Sequence, residues 1–504
     1  MGKFSDKLNH YLDACFPILW LETFEETKAD EIIAQAARNQ NFSVVESNAR
    51  GLFFTATNER KDYDLPLALK NFTDPPSPMA KEKFNLNRKI FVIKDATRKL
   101  ENPDVSGKLK YLAQLITACE LDARIIIVAP TVALPKEIEH LITLLSMDYP
   151  TEAEISALIK NFCEQTELAT PRQDLLQRLI DAFKGMPEFE IRNVLALAAA
   201  ENGMIAERDL SLIHEQKKQI VQKSGVLEMI DVEKNFFAET GGLENLKRYL
   251  MRKQKIFANM AAAEKFGVDK PKGILIAGLP GCGKSLSVKA AASLFGIPLI
   301  QLDMGRLMGK YVGESEANLR RAIKQADAIA PCILWLDELE KAFAGVGGQG
   351  VNAELTTRLM GTFLTWMQEK KSLTFVIATL NTIKNIPPEF MRRGRFDEVF
   401  YVDLPSEVER TEILRIHIQR RRPKDLPRID LQRIAQMTND FSGADLEGVV
   451  KDAVEETFNQ GLNFLTDDAL IDAVNQTHPL SETMHDEIAE MRDDYAKRSF
   501  KNAS

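Results

Sequence analysis

Ile274-Leu-Ile-Ala-Gly278-Leu-Pro-Gly-Cys-Gly-Lys284-Ser285 decides the fold of this chain. A short apolar run leads straight into G-x-x-x-x-G-K-[ST], the phosphate-binding loop set between a buried strand and a helix. The chemistry requires that order. Across Gly278, Pro280, Gly281, Cys282 and Gly283 the glycines let successive backbone N–H groups converge on phosphate oxygens, and the helix that follows adds its positive dipole. Lys284 reaches the terminal phosphates and Ser285 can ligate Mg²⁺. Residues 286–295, beginning with Leu286, read as that helix because they are alanine-rich and free of proline. A second apolar run, Cys332-Ile-Leu-Trp-Leu336, ends in Asp337-Glu338. An acidic pair at the end of a buried strand suits metal positioning by Asp337 and activation of water by Glu338. Together the two pieces imply a nucleoside triphosphate site.

With 504 residues, the chain is long enough for about three compact units. A hydrophobic fraction of 45% with 27% charged residues places it among ordinary globular proteins. The net charge of −8 argues against nucleic acid as the main partner. Five cysteines (Cys15, Cys119, Cys163, Cys282, Cys332) form no C-x-x-C pair, which indicates neither a zinc site nor a disulfide framework and fits a reducing compartment. No apolar stretch approaches membrane-spanning length, and the first residues contain no secretory core. Nor do they fit a myristoylation signal, because Asp6 sits where Ser or Thr is wanted.

The first third reads as alternating strands and helices. Pro17-Ile-Leu-Trp-Leu21, Lys89-Ile-Phe-Val-Ile93 and Arg124-Ile-Ile-Ile-Val128 have the continuous apolar character of buried parallel strands. Helices are expected over 25–39 and 108–119, and a loop over 74–83. This front part repeats the back part. Asp148-Tyr-Pro-Thr-Glu-Ala-Glu154 echoes Asp403-Leu-Pro-Ser-Glu-Val-Glu409, and Phe183-Lys-Gly185 echoes Phe441-Ser-Gly443. Short helix-capping starts also recur by themselves, so matching order carries the inference more than identity does. The first copy has lost the chemistry. Thr23-Phe-Glu-Glu-Thr-Lys28 stands where a phosphate loop belongs, with no glycine and two carboxylates, and Asp95-Ala96 is expected at the position of the acidic pair. That copy is expected to hold no nucleotide. Between the copies, residues 207–223 read as a polar helix with a thin stripe at Leu212, Ile213 and Ile220, either a linker or a docking element.

From here the chain resembles the AAA family of the AAA+ superfamily. Glu239-Thr240-Gly241-Gly-Leu-Glu-Asn-Leu-Lys247 is similar to the segment that lies along the adenine. Lys310-Tyr311-Val312-Gly-Glu-Ser is similar to the central pore loop, and Phe375-Val-Ile-Ala-Thr-Leu-Asn381 to the strand whose polar end orients the attacking water. Met391-Arg392-Arg-Gly-Arg395-Phe-Asp397 resembles L-L-R-P-G-R-F-D, with Arg393 where proline is usual. Phe441-Ser-Gly443-Ala444-Asp445 matches the start of the lid helix. Within the family the chain most resembles an ATPase found in cyanobacteria and encoded in some algal plastid genomes, which has a degenerate N-terminal AAA-like module.

The resemblance implies an α/β P-loop NTPase fold with a helical lid, preceded by that module. The expected division is residues 1–200 for the degenerate module with a small helical lid, 201–235 for a linker, 236–406 for the large ATPase subdomain, 407–478 for the lid and 479–504 for a helical extension. It also implies ATP and Mg²⁺ as ligands, with Glu338, Asn381, Arg392 and Arg395 in catalysis, the arginines reaching a neighbouring subunit's phosphate. A homo-oligomer, a hexameric ring, follows, located in the cytoplasm or in the stroma of a plastid that encodes it. Tyr311 would grip an extended protein client or else pack between subunits; Gly345-Val-Gly-Gly-Gln-Gly350 would be a second channel loop or a linker. Cys282 reads as a small tolerated residue rather than a redox switch. Met484, Ile488, Met491 and Tyr495 form a helical stripe that should pack on the module or a neighbour. Two functions remain: an ATP-hydrolysing ring that remodels a protein client, and a nucleotide-gated scaffold or regulator.

Overall fold

A computed structural model describes residues 3–78, 82, 84–96, 99–132, 134–307, 314–342, 351–383, 387–392, 394–498 and 500–504. It divides into two compact units, Met1–Pro150 with Pro187–Asn193, and Thr151–Met186 with Val194–Ser504.

The first unit is built on seven strands: β1 (Ile18–Glu22), β2 (Ser43–Asn48), β3 (Gly51–Phe54), β4 (Glu59–Lys61), β5 (Lys89–Lys94), β6 (Ala123–Ala129) and β7 (Ile142–Ser146). Their order is β4-β3-β2-β5-β6-β1-β7, and β2, β5, β6, β1 and β7 run parallel. The apolar runs of the sequence become the central strands because parallel strands are covered on both faces; every residue of β6 is buried. The expected helices form over Glu26–Asn39 and Pro103–Thr117.

The second unit carries β8 (Leu227–Ile230), β9 (Gly273–Gly278), β10 (Leu299–Leu302), β11 (Cys332–Leu336), β12 (Thr374–Leu380), β13 (Glu398–Val402) and β14 (Lys501–Asn502). Their order is β14-β13-β9-β12-β11-β10-β8. Only β8 is antiparallel, at one edge. The helices Glu407–Arg421, Leu431–Met437, Gly443–Asn459 and Asp467–Gln476 pack around a separate apolar cluster.

Both sheets therefore hold the same five-strand core. Numbered by chain order within each copy, the strands lie 5-1-4-3-2 in both, as β7-β1-β6-β5-β2 and β13-β9-β12-β11-β10. Hydrogen-bond register then corrects one expectation. Ser146 and Tyr401 each precede the shared Asp-x-Pro by two residues and pair with Glu22 and Ala277. Following the register across, Val128 matches Thr379 and Lys94 matches Asp337. Asp95 then matches Glu338, and both have left-handed backbone, φ 54° and 47°. The acidic-pair position of the first unit is thus Lys94-Asp95 rather than Asp95-Ala96. The Lys94 ammonium is buried and lies 2.7 Å from Asp30 and 3.2 Å from Glu46. Burial works against its charge, but Asp30 and Glu46 outweigh that and hold its pKa above the ordinary lysine range.

The segment between the copies is docked in the second unit. Helix Asp209–Lys223 buries Ile213, Ile220 and Val221, and Lys217 donates to the Ala182 carbonyl at 3.0 Å. Residues 151–186, which the repeat assigns to the first module, belong to this second compact unit. Helix His485–Lys497 buries Ile488, Met491 and Tyr495 in the main apolar core, as the stripe predicts.

Candidate functional site

The phosphate loop leaves β9 where the strand order reverses, between β13 and β12, so it opens into the crevice at the carboxyl ends of the strands. A cleft of about 470 Å³ lies there. Its floor is Pro280, Gly281, Cys282, Gly283, Lys284, Ser285 and Leu286; one wall holds Asp337, Glu338 and Asn381; the other holds Thr240, Gly241, Gly443 and Ala444. These are fourteen of the positions singled out by sequence, converging from five separate stretches. Gly278 lies beneath them, and its carbonyl accepts from Lys284 Nζ at 2.8 Å.

Gly283 ends the loop at φ 92° and starts helix Lys284–Phe295. Lys284 is buried and also donates to the Leu279 carbonyl at 2.7 Å. Burial lowers its pKa, while the charges of Glu340, Asp337 and Glu338 oppose the shift. Gly281 needs both its left-handed backbone, φ 77°, and its lack of a side chain. A Cβ there would stand 3.0 Å from Ser442 Oγ, and the Gly281 carbonyl accepts from the Ala444 N–H at 3.0 Å. The lid helix thus begins against the phosphate loop.

The acidic wall is tied together by Asn381 and by Thr379, Glu340 and Lys341, which no motif singles out. Thr379 Oγ1 donates to Asp337 Oδ1 at 2.5 Å and accepts from the Glu338 N–H at 3.2 Å. Asn381 Nδ2 donates to Glu338 Oε1 at 3.2 Å, and its own N–H donates to Glu340 Oε1 at 3.1 Å. Lys341 forms an ion pair with Glu338 Oε2. A threonine inside the apolar run of β12 was the available signal for the first of these contacts. Asp337, held from one side by a hydroxyl, together with the Ser285 hydroxyl, supplies the hard oxygen ligands that suit Mg²⁺ shared with phosphate. The described residues fit that ion.

The far end of the cleft is apolar, formed by Leu243, Ile413 and Ile416, with His417 beside them. Burial lowers the pKa of His417 against the pull of Glu447. The Gly241–Gly242 turn is clamped by the lid. Glu409 Oε1 accepts from the Leu243 N–H and Glu412 Oε2 from the Gly242 N–H, each at 2.9 Å. Burial would raise the Glu409 pKa, yet the N–H groups of Leu243 and Ser406 hold it below the usual carboxylate range. Glu409 is marked only as a helix-capping residue, and Glu412 by no motif.

Cys282 is 9% exposed, and burial pushes its thiol up to about 12, so it is no activated thiolate. Arg392 and Arg395 do not line the cleft. Arg392 is exposed, 3.8 Å from Glu389, and Arg395 donates to the Glu389 carbonyl. Asp397 and Glu398 are engaged instead by Lys253 and Lys501. Tyr311 and Val312, residues 345–350 and Arg393 lie outside the described residues. No helix among the described residues is long and apolar enough to cross a membrane.

Comparison with known proteins agrees with this geometry. Residues 274–404 match the ATPase family associated with various cellular activities (AAA), and 428–472 match the AAA+ lid domain. Residues 4–147 and 153–224 match the N-terminal and second domains of SpoVK-like AAA ATPases. The AAA domain-containing protein ycf46 of Trieres chinensis is 34% identical over 95% of this chain and 94% of its own length. The proteins of that name from Guillardia theta and Pyropia yezoensis are 34% and 32% identical over 96% and 97% of this chain, covering 93% and 97% of theirs.

Proposed function

The chain belongs to the AAA ATPase family, and we propose that it is a Mg²⁺-dependent ATPase whose homo-oligomeric ring, a hexamer, remodels a protein client. The single observation that carries hydrolysis is the Glu338 carboxylate held by Asn381 in the cleft that also contains the phosphate loop and Asp337. In this reading Lys284 binds the terminal phosphates, Ser285 and Asp337 hold Mg²⁺, and bound Mg²⁺ neutralises charge developing on the phosphoryl group. Glu338 takes the proton of the attacking water, and Asn381 orients both. Arg392, exposed and away from its own cleft, is available to a neighbour's site, with Arg395 beside it. The first unit is a nucleotide-free module, because an ammonium stands at the metal-carboxylate position. The proposed division into 1–200, 201–235, 236–406, 407–478 and 479–504 follows motif function. The proposed setting is a reducing compartment, cytoplasm or plastid stroma, without nucleic acid as the main partner.

One contact favours a second reading, a nucleotide-gated scaffold. Lys341 pairs with the Glu338 carboxylate and occupies an oxygen that the attacking water would need. Steady-state turnover of the full chain and of Lys341→Ala separates the two readings. A motor hydrolyses ATP with Lys341 present, whereas a scaffold binds ATP, assembles and turns over negligibly.

A further inference from the structure

Residues 484–498 and 500–504 pack in the second unit, and Ser504 lines the nucleotide cleft. The loop 240–243 leads into helix Glu244–Ala258, whose first residue is preceded by Leu243 in left-handed backbone, φ 60°, with no side-chain cap. The N–H groups exposed at such a helix start need acceptors. Those of Asn245 and Leu246 both donate to one atom, the Ala503 carbonyl, at 3.0 Å each. Ala503 is fully buried, and its own N–H donates to the Tyr401 carbonyl at 2.9 Å. Just before it, β14 extends the sheet in parallel, Lys501 opposite Phe400 and Asn502 opposite Tyr401. The Asn245 amide donates to the Asn502 carbonyl at 3.3 Å and to Ser504 O. Ser504 lines the cleft and hydrogen-bonds Glu409, the carboxylate that holds Leu243.

The same segment is anchored upstream. Arg492 grips Asp403 with two nitrogens at 2.8–3.0 Å, and Asp403 also lines the cleft. The Tyr495 ring stacks on Tyr401 with centroids 4.1 Å apart. Its anchors thus lie on β13, on the residue that follows it, on the start of the helix that follows the loop 240–243, and on Glu409 of the helix Glu407–Arg421.

We propose that residues 484–498 and 500–504 form a clasp that positions the loop 240–243 and thereby sets nucleotide affinity, with Ala503 and Asn245 as its positioning residues. The inference rests on the nucleotide reading of the cleft. Its Asn502, Ala503 and Ser504 contacts reach the helix start that follows the loop 240–243 and the Glu409 that holds Leu243, so the proposed effect is on nucleotide binding rather than on the chemical step. Binding and clasp closure must also be reciprocal, because coupling between two sites acts equally in both directions.

The test uses the full chain with Asn245→Ala, Arg492→Ala and Ala503→Pro, the last removing the N–H that bonds Tyr401. ADP affinity by calorimetry, kcat and KM for ATP, and amide exchange with and without ADP are measured. Ala503→Pro should weaken ADP about tenfold, the loss expected from one or two hydrogen bonds, and raise KM with kcat at saturation within about twofold. In the unsubstituted chain, ADP should slow exchange at Asn245, Leu246 and Ala503. If Ala503→Pro does not fold, the other two variants, which touch only exposed or half-exposed side chains, carry the same expectation at smaller size. ADP affinity unchanged in the variants, or kcat lost at constant KM, would overturn the clasp alone. No ADP binding by the unsubstituted chain would overturn the nucleotide reading beneath it as well.

Discussion

The Thr379 hydroxyl joins the two carboxylate residues of the cleft, donating to Asp337 and accepting from the Glu338 backbone. Sequence reading stopped at Asn381 because threonine is an ordinary strand former and β12 is otherwise apolar. Removing the hydroxyl should lower kcat by ten- to a hundredfold, since hydrogen bonds to charged groups contribute about 1.5–3 kcal/mol. Thr379→Val should show that loss together with a raised Mg²⁺ requirement, and Thr379→Ser should keep both near the original; equal losses in the two variants would disprove the hydroxyl's role. Lys217 poses a different residue-scale test. Buried in the second unit, its pKa falls to about 8 from an ordinary 10.5. Between those values the unfolded chain holds a proton the folded chain has released, so stability should rise with pH across that window. Below it the buried charge costs stability, about 3 kcal/mol. Lys217→Met should therefore raise the melting temperature at pH 7 and flatten its rise from pH 8 to 10. Parallel pH profiles for the two proteins would contradict this.

At the scale of elements, the phosphate loop, the acidic pair and the paired D-x-P-[ST]-E starts were legible because each needs particular residues at fixed spacing. Thr151 and Ser406 do open capping boxes, with Glu154 and Glu409. Register was not legible, since apolar strands look alike under a one-residue slip, and the slip hid Lys94 at the position of Asp337. A two-residue strand such as β14 has no periodicity to read at all. Lys94→Met should leave Asp30 and Glu46 facing each other without a cation. Full burial of such a pair would make the loss about 3–5 kcal/mol, but the Asp30 side chain is 43% exposed, which reduces the expectation to about 1–3 kcal/mol. Faster amide exchange confined to β5 and β6 would report it, and unchanged exchange would mean the triad does not hold the first unit together.

The molecule holds one 5-1-4-3-2 sheet core twice, and the phosphate loop follows the first strand of the second copy. That duplication could be inferred from motif order, whereas the placement of residues 151–186 in the second compact unit could not, because helix starts do not say what a helix packs against. With the proposed ATP cleft in the second unit and exposed Arg392 outside it, turnover should depend on assembly. The most direct test measures ATP turnover per subunit against protein concentration, with particle mass recorded alongside, for the full chain and for Glu338→Gln. Turnover that rises as the particle assembles, and falls at least about a hundredfold in Glu338→Gln while ADP binding persists, is the predicted result. ATP-driven assembly with negligible turnover in the unsubstituted chain, or turnover independent of assembly, would contradict it.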